Sequence, residues 1–319
     1  MRKFINWLLR PILQRLGISN WMFVQVEKMK LRTGASAAAR QINQVKKGAN
    51  VMKGIPLVCI LDKKPEFVDF FIDYYQKLGI QDFHFFYPKG TDISEIEAHE
   101  NCNLYTINPT NNKEVIYNYF LKKCKDNQWV MVLEPNEYIV YPNYKTRNIV
   151  ELAHFLDNLE ERSFFTATIE MYRNDREKVN HQFIGNPLAV YKYFDRFNLS
   201  QKKNGADILD IKGGPEMRIH KRLYPADAPD LNRLTLIKKD KHIRFIANNK
   251  ITNDPTLNNP LQRENRVITG CILRLVLEEE KYADAEYLKL KYKDKHWSKT
   301  FVNDKQLENE KFMQRGEWF

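Results

Sequence analysis

From residue 55 onward the chain alternates between short continuous apolar runs and segments whose apolar positions recur every three or four residues. PLVCIL (56–61) reads as a strand, PEFVDFFIDYYQKLG (65–79) as a helix with Pro65 in its first turn, and DFHFFY (82–87) as the next strand. Together they predict a βαβ unit. CNLYTI (102–107) predicts another strand, and NNKEVIYNYFLKKC (111–124) a helix capped by Asn111 or Asn112. WVMVL (129–133) is apolar throughout, as a strand is when both faces of its sheet are covered. This alternation predicts the α/β class: a doubly wound, Rossmann-like, mainly parallel sheet with helices on both faces. Ligands of such a sheet bind beyond the carboxyl ends of its strands. The positions to watch are therefore Asp62, Lys63 and Lys64, then Tyr87 to Asp92, then Glu134 to Glu137.

The first 50 residues follow a different pattern. MRKFINWLLRPILQRLG (1–17) sets Trp7, Leu8, Ile12 and Leu13 among Arg2, Lys3, Arg10 and Arg15, a basic amphipathic helix that Pro11 can kink. Residues 1–50 carry ten Lys and Arg against Glu27 alone, a net +9 that leaves +2 of the total +11 for the rest. Such a segment suits an anionic membrane surface. The alternative is that Trp7, Leu8 and Leu13 pack on the globular body. Arg10 interrupts the apolar run, which speaks against a signal peptide. Residues 33–50 are small and polar and read as a linker or a loosely docked helix. The expected division is a membrane-associating segment with its linker over 1–50 and one globular domain over 51–319.

Composition narrows the function classes further. No apolar stretch reaches the roughly 18–20 residues of a membrane span. The pI of about 9.3 invites a nucleic-acid reading, but the basic excess is N-terminal and no recognition motif accompanies it, so no nucleic-acid partner is expected. Neither a Gly-x-Gly-x-x-Gly run nor a phosphate loop occurs. The four cysteines stand far apart, which indicates neither a zinc site nor a disulfide framework and fits a cytosolic compartment. His84 lies in an aromatic strand and reads as core.

Six segments in order resemble bacterial family 2-like glycosyltransferases of the branch related to the eukaryotic galactan-synthesising group. They are CILDKKPEFVDFFIDYYQKLGIQDFHFFYPKGTD (59–92), WVMVLEPNEYIVY (129–141), TIEMYRND (168–175), YFDRF (193–197), GGPEMR (213–218) and GCILRLV (270–276). The resemblance implies a GT-A-like fold, a nucleotide-sugar donor and a lipid-linked or surface-polysaccharide acceptor. It also implies a peripheral position on the inner face of the bacterial cytoplasmic membrane and direct displacement with inversion. In that family an acidic strand-end motif and a later His hold a divalent cation, Mg²⁺ or Mn²⁺, on the donor diphosphate.

The departures from the family pattern share a sign. Its Asn-Glu falls at Lys63-Lys64, and its Asp-Asn-x-Ser-x-Asp retains only Asp92, with Tyr87 and Gly90 in place of the first Asp and the Ser. Its Asp-x-Asp has become Glu134-Pro135-Asn136, and its late His has become Arg274. Carboxylates are lost and cations gained where the diphosphate is expected, so Arg and Lys can meet the leaving phosphate without a cation; if Mg²⁺ or Mn²⁺ is present, Glu134 and Glu137 are its ligands. A metal-independent enzyme is one reading, and an inactive GT-A-like scaffold of a glycan-assembly complex is the other. The implied catalytic bases are Glu137 and Glu170. The implied donor-binding residues are Lys63, Lys64, Tyr87, Asp92, Glu134, Asn136, Arg218 and Arg274, with Phe86 and Tyr87 offered to a nucleobase. Asp195 reads as a cap or turn residue.

Overall fold

The computed structural model describes residues 42–108, 112–173, 185–195, 198–202, 209–213, 231–245, 268–276 and 298–318. The amphipathic segment 1–20 and Arg218 lie outside the described residues. In chain order the first elements are β1 (Asn43–Lys46), β2 (Pro56–Ile60), α1 (Val68–Lys77), β3 (Asp82–Pro88), α2 (Ser94–Glu97), β4 (Cys102–Ile107), α3 (Lys113–Leu121), β5 (Trp129–Leu133) and β6 (Glu137–Val140). Next come α4 (Ile149–Asn158), β7 (Ser163–Met171), α5 (Pro187–Val190), β8 (Tyr193–Asp195), β9 (Asn198–Lys202) and β10 (Leu209–Gly213). The last are β11 (Asn232–Lys238), β12 (Gly270–Leu275), β13 (Ser298–Thr300) and α6 (Asp304–Asn309).

Among the described residues nine strands form one sheet in the order β1-β4-β3-β2-β5-β11-β7-β12-β6. The block β4-β3-β2-β5 is parallel, as is the pair β7-β12. β1, β11 and β6 run against their neighbours. The sheet is therefore mixed, with a parallel core that matches the expected alternation. β9 pairs with β10, and β8 with β13, in two small antiparallel sheets.

The continuous apolar runs are explained by cover on both faces. Leu57, Cys59 and Leu61 join α1 (Phe71, Ile72, Tyr75) and α4 (Leu152, Leu156) in one core. Val58 and Ile60 join α3 (Ile116, Tyr117, Phe120) in the other. The chain steps outward from β2 through β3 to β4 with α1 and α2 on the first face, then returns past β2 to β5 with α3 on the second. Right-handed crossovers require that change of face when the direction of winding reverses. The reversal lies between β2 and β5, whose carboxyl ends flank the crevice where doubly wound sheets take ligands.

Two local expectations are corrected. Residues 43–46, read as linker, form an edge strand antiparallel to β4. Helix α1 begins at Val68, three residues beyond Pro65, because Phe67 adopts a left-handed backbone (φ 56°) that cannot continue a helix.

The link from β5 to β6 shapes the site. Three residues join them, although β11, β7 and β12 lie between them in the hydrogen-bonding order. Four residue steps reach about 14 Å, whereas four strand spacings in a flat sheet need about 19 Å. The sheet must curl, and the curl brings Glu137 of β6 onto Arg233 of β11.

Candidate functional site

Glu137 is fully buried at the start of β6, and its backbone is fixed before its side chain acts. The Tyr75 hydroxyl donates to the Glu137 carbonyl at 2.8 Å and accepts from the Ile139 N–H at 2.9 Å. The neighbouring Tyr74 hydroxyl donates to the Ile139 carbonyl at 2.6 Å. Two adjacent tyrosines of α1 thus satisfy groups on the edge of β6 that faces no other described strand.

Both carboxylate oxygens of Glu137 are engaged. Oε1 accepts from Arg274 Nη2 at 2.8 Å and Nε at 3.2 Å. Oε2 accepts from Arg233 Nη2 at 2.9 Å and from the Glu134 N–H at 2.8 Å. Arg233 is 2% exposed, and its Nε and Nη1 have no hydrogen-bond partner among the described residues. Burial opposes the charge on Arg233, but Glu137, then Tyr117 and Glu134, outweigh it and raise its pKa. The pair is a dry ion pair with a second guanidinium on its outer side.

A second set of charges spans the crevice. Lys113, the first residue of α3, places Nζ 3.2 Å from Asp62 beyond β2 and 3.2 Å from Glu134 beyond β5. Burial raises the Glu134 pKa, yet Lys113, Arg233 and Arg274 together hold it below the ordinary carboxylate range. Lys113 is raised in turn, because Glu134 and Asp62 outweigh its desolvation. Cys59, on the adjacent strand, is fully buried, and burial, reinforced by Glu134 and Glu137, pushes its thiol well above the ordinary value.

The predicted site residues divide into those brought together and those that are not. Glu134, Glu137 and Arg274 meet, and Glu170 joins them at the strand level. β12 sets Arg274 opposite Glu137 on one side and opposite Glu170 on the other. Glu170 is half-buried. Asn136 is tied to β12, its Nδ2 donating to the Leu275 carbonyl at 2.9 Å and its own carbonyl accepting from the Leu275 N–H. Lys63 is exposed and without a partner among the described residues. Lys64 instead pairs with Asp92 at 2.8 Å and Glu95 at 3.3 Å, so two expected donor-binding residues neutralise each other. The nucleobase platform fails. Phe86 is fully buried with its ring on Tyr105, centroids 4.5 Å apart, and Tyr87 is 5% exposed within the core. Arg218 lies outside the described residues.

His84 is core, as its strand predicted. Nδ1 lies 3.1 Å from the Tyr105 hydroxyl, and Nε2 lies 2.9 Å from Asp82 Oδ1 at an angle outside hydrogen-bonding range. Asp195 is buried and accepts from the Tyr172 hydroxyl at 2.6 Å, and the turn it was expected to cap, at 196–197, lies outside the described residues.

The donor set does not fit the divalent cation of the resembled family. A hard cation needs several free oxygen ligands. Glu137 gives both oxygens to guanidinium and backbone donors, Glu134 faces Lys113, and Asn136 can offer only a neutral amide oxygen, its NH₂ group being held by the Leu275 carbonyl. Among the described residues no group of three His, Cys, Asp or Glu side chains is arranged to hold a metal.

Lys113 and Arg233 were not legible as site residues, although each left a signal. A lysine opening a helix opposes the helix dipole, and a lone arginine inside the run LNRLTLI needs a buried counter-charge. The sequence matches no family model, and no curated protein matches it.

Proposed function

We propose that this chain is a GT-A-like glycosyltransferase that moves a sugar from a nucleotide-sugar donor to a lipid-linked or surface-polysaccharide glycan without a divalent cation. The observation that carries the reading is the cluster Asp62, Lys113, Glu134, Glu137 and Arg274 at the reversal point between β2 and β5. Six motifs in the family's order support it. In the proposed reaction the acceptor hydroxyl oxygen attacks the anomeric carbon, the bond to the diphosphate breaks, and the configuration inverts. Charge on the departing diphosphate is met by fixed cations through charge-assisted hydrogen bonds. Arg274 and the exposed Lys63 are the proposed contacts. Glu170, half-buried near the carboxyl end of β7, is the proposed base for the acceptor proton. Glu137 is assigned to positioning Arg274 instead, because both its oxygens are taken.

The test is hydrolysis and transfer across a nucleotide-sugar panel by the full chain, with EDTA and with added Mn²⁺ or Mg²⁺. Turnover that survives EDTA and falls by a factor of about 10² or more in Glu170→Gln is expected. Activity abolished by EDTA and restored by Mn²⁺ would return Glu134 and Glu137 to the role of ligands.

One observation favours a second reading. All the charged side chains named in the cluster are already ion-paired, as in a structural network. A catalytically inactive scaffold in a glycan-assembly complex is the corresponding function, and donor binding without turnover would support it. In either reading residues 1–20 are the proposed attachment to an anionic membrane at the cytoplasmic face. No described helix is long and apolar enough to cross a membrane. Vesicle binding unchanged by deletion of residues 1–20 would overturn the attachment.

A further inference from the structure

We infer that Lys113 is a diphosphate-binding residue held in reserve by Asp62, and that a diphosphate ligand takes the place of the Asp62 carboxylate on the Lys113 ammonium. The inference deepens the glycosyltransferase reading and rests on it for the remainder of the ligand.

The two pairs made by Lys113 are equal in length and unequal in setting. Nζ is 3.2 Å from each carboxylate, but the Asp62 side chain is 74% exposed and that of Glu134 is 29% exposed. An exposed ion pair is weak because water and salt compete for both partners. Asp62 can therefore leave for water at little cost, while Glu134 keeps the ammonium over the crevice. Its departure also removes one negative charge from the crevice, which favours an incoming anion.

Hydrogen-bond capacity points to the same class of ligand. Arg274 makes its contacts through Nε and Nη2 and has no partner on Nη1 among the described residues. Arg233 holds two further unpartnered nitrogens behind it. Donors in excess suit phosphate oxygens, whereas a neutral sugar cannot displace a carboxylate from an ammonium. The position of Lys113 fits as well. It opens the nine-residue α3, where the helix dipole disfavours a cation unless an anion accompanies it. Asp62 and Glu134 supply that anion in the ligand-free protein, and phosphate supplies it in the complex.

The probe is inorganic pyrophosphate, titrated calorimetrically at low ionic strength into the full-length wild type, Lys113→Ala, Lys113→Arg and Asp62→Asn, with thermal melts to check folding. Lys113→Ala is expected to weaken binding roughly tenfold or more, and Lys113→Arg to restore most of it. Asp62→Asn, at a site exposed enough to leave the fold unaffected, is expected to tighten binding roughly two- to fivefold. Equal affinities for wild type and Lys113→Ala, weaker binding by Asp62→Asn, or no pyrophosphate binding by the wild type would each overturn the inference. The two proposals fail separately. Turnover of a nucleotide-sugar together with a silent Lys113→Ala would remove the inference and keep the reading. The expected pyrophosphate pattern with no donor bound or turned over would remove the reading and keep the inference.

Discussion

Replacing Glu137 by Gln tests whether the buried carboxylate is the hub that organises the site. Its oxygens accept four hydrogen bonds at 2.8–3.2 Å, two from Arg274 on Oε1 and one each from Arg233 and the Glu134 N–H on Oε2. A glutamine keeps one acceptor oxygen and turns an NH₂ group toward the other donors, while both guanidinium groups lose their counter-charge. Arg233, at 2% exposure, cannot recover it from water. Breaking a buried pair by removing one partner costs about 3–5 kcal/mol. For a chain of 319 residues, at about 2.1 cal/mol/K of unfolding entropy per residue, that corresponds to a fall in Tm of about 4–8 °C. Arg274→Ala should be milder, about 1–2 kcal/mol, because Arg274 is partly exposed and Glu137 keeps Arg233. The double variant Glu137→Leu/Arg233→Met removes both buried charges and should be less destabilised than the sum of its single variants by about 1–3 kcal/mol. Urea unfolding followed by fluorescence of the buried Trp129 and Trp318 reads these differences. A Glu137→Gln protein within 1 kcal/mol of wild type, or a strictly additive cycle, would refute the reasoning.

Three further outcomes follow from the geometry. Tyr75→Phe removes a hydroxyl that serves both the Glu137 carbonyl and the Ile139 N–H, so a loss of about 1–3 kcal/mol is expected in the same assay, and a neutral result would show that β6 finds other partners. Gly270→Ala would set a methyl 2.8 Å from the Phe164 ring and 2.8 Å from the Val140 carbonyl, and overpacking of about 1–3 kcal/mol should lower Tm; an unshifted melt counts against it. Lys64, and then Ser94, hold the exposed Asp92 carboxyl down at about 2, so its contribution is complete above about pH 4 and fades as pH falls toward 2. Lys64→Ala should raise that pKa toward the ordinary value in an NMR titration, and an unmoved titration would show that the pair does not form in solution.

The parallel core was legible in the chain because local rules decide it. PLVCIL, DFHFFY, CNLYTI and WVMVL are too apolar to face water on either side, and helical periods separate them, so a sheet covered on both faces follows without knowledge of any contact. The carboxyl ends of those strands follow too, and with them Asp62 and Glu134. What the sequence could not decide is which charges meet. Arg233 and Glu137 stand 96 positions apart and Lys113 and Glu134 stand 21 apart, and no periodicity within either segment refers to the other. The curl of the sheet between β5 and β6 turns Glu137 from a strand-end acid into a buried anion between two guanidiniums. Burial also turned Tyr87 from a site aromatic into a core residue, because the side chain of a strand's last residues faces core or crevice according to what the next layer covers. Motif order and strand ends are properties of segments, whereas ion pairing across the crevice belongs to the packed sheet, and only the tertiary structure contains it.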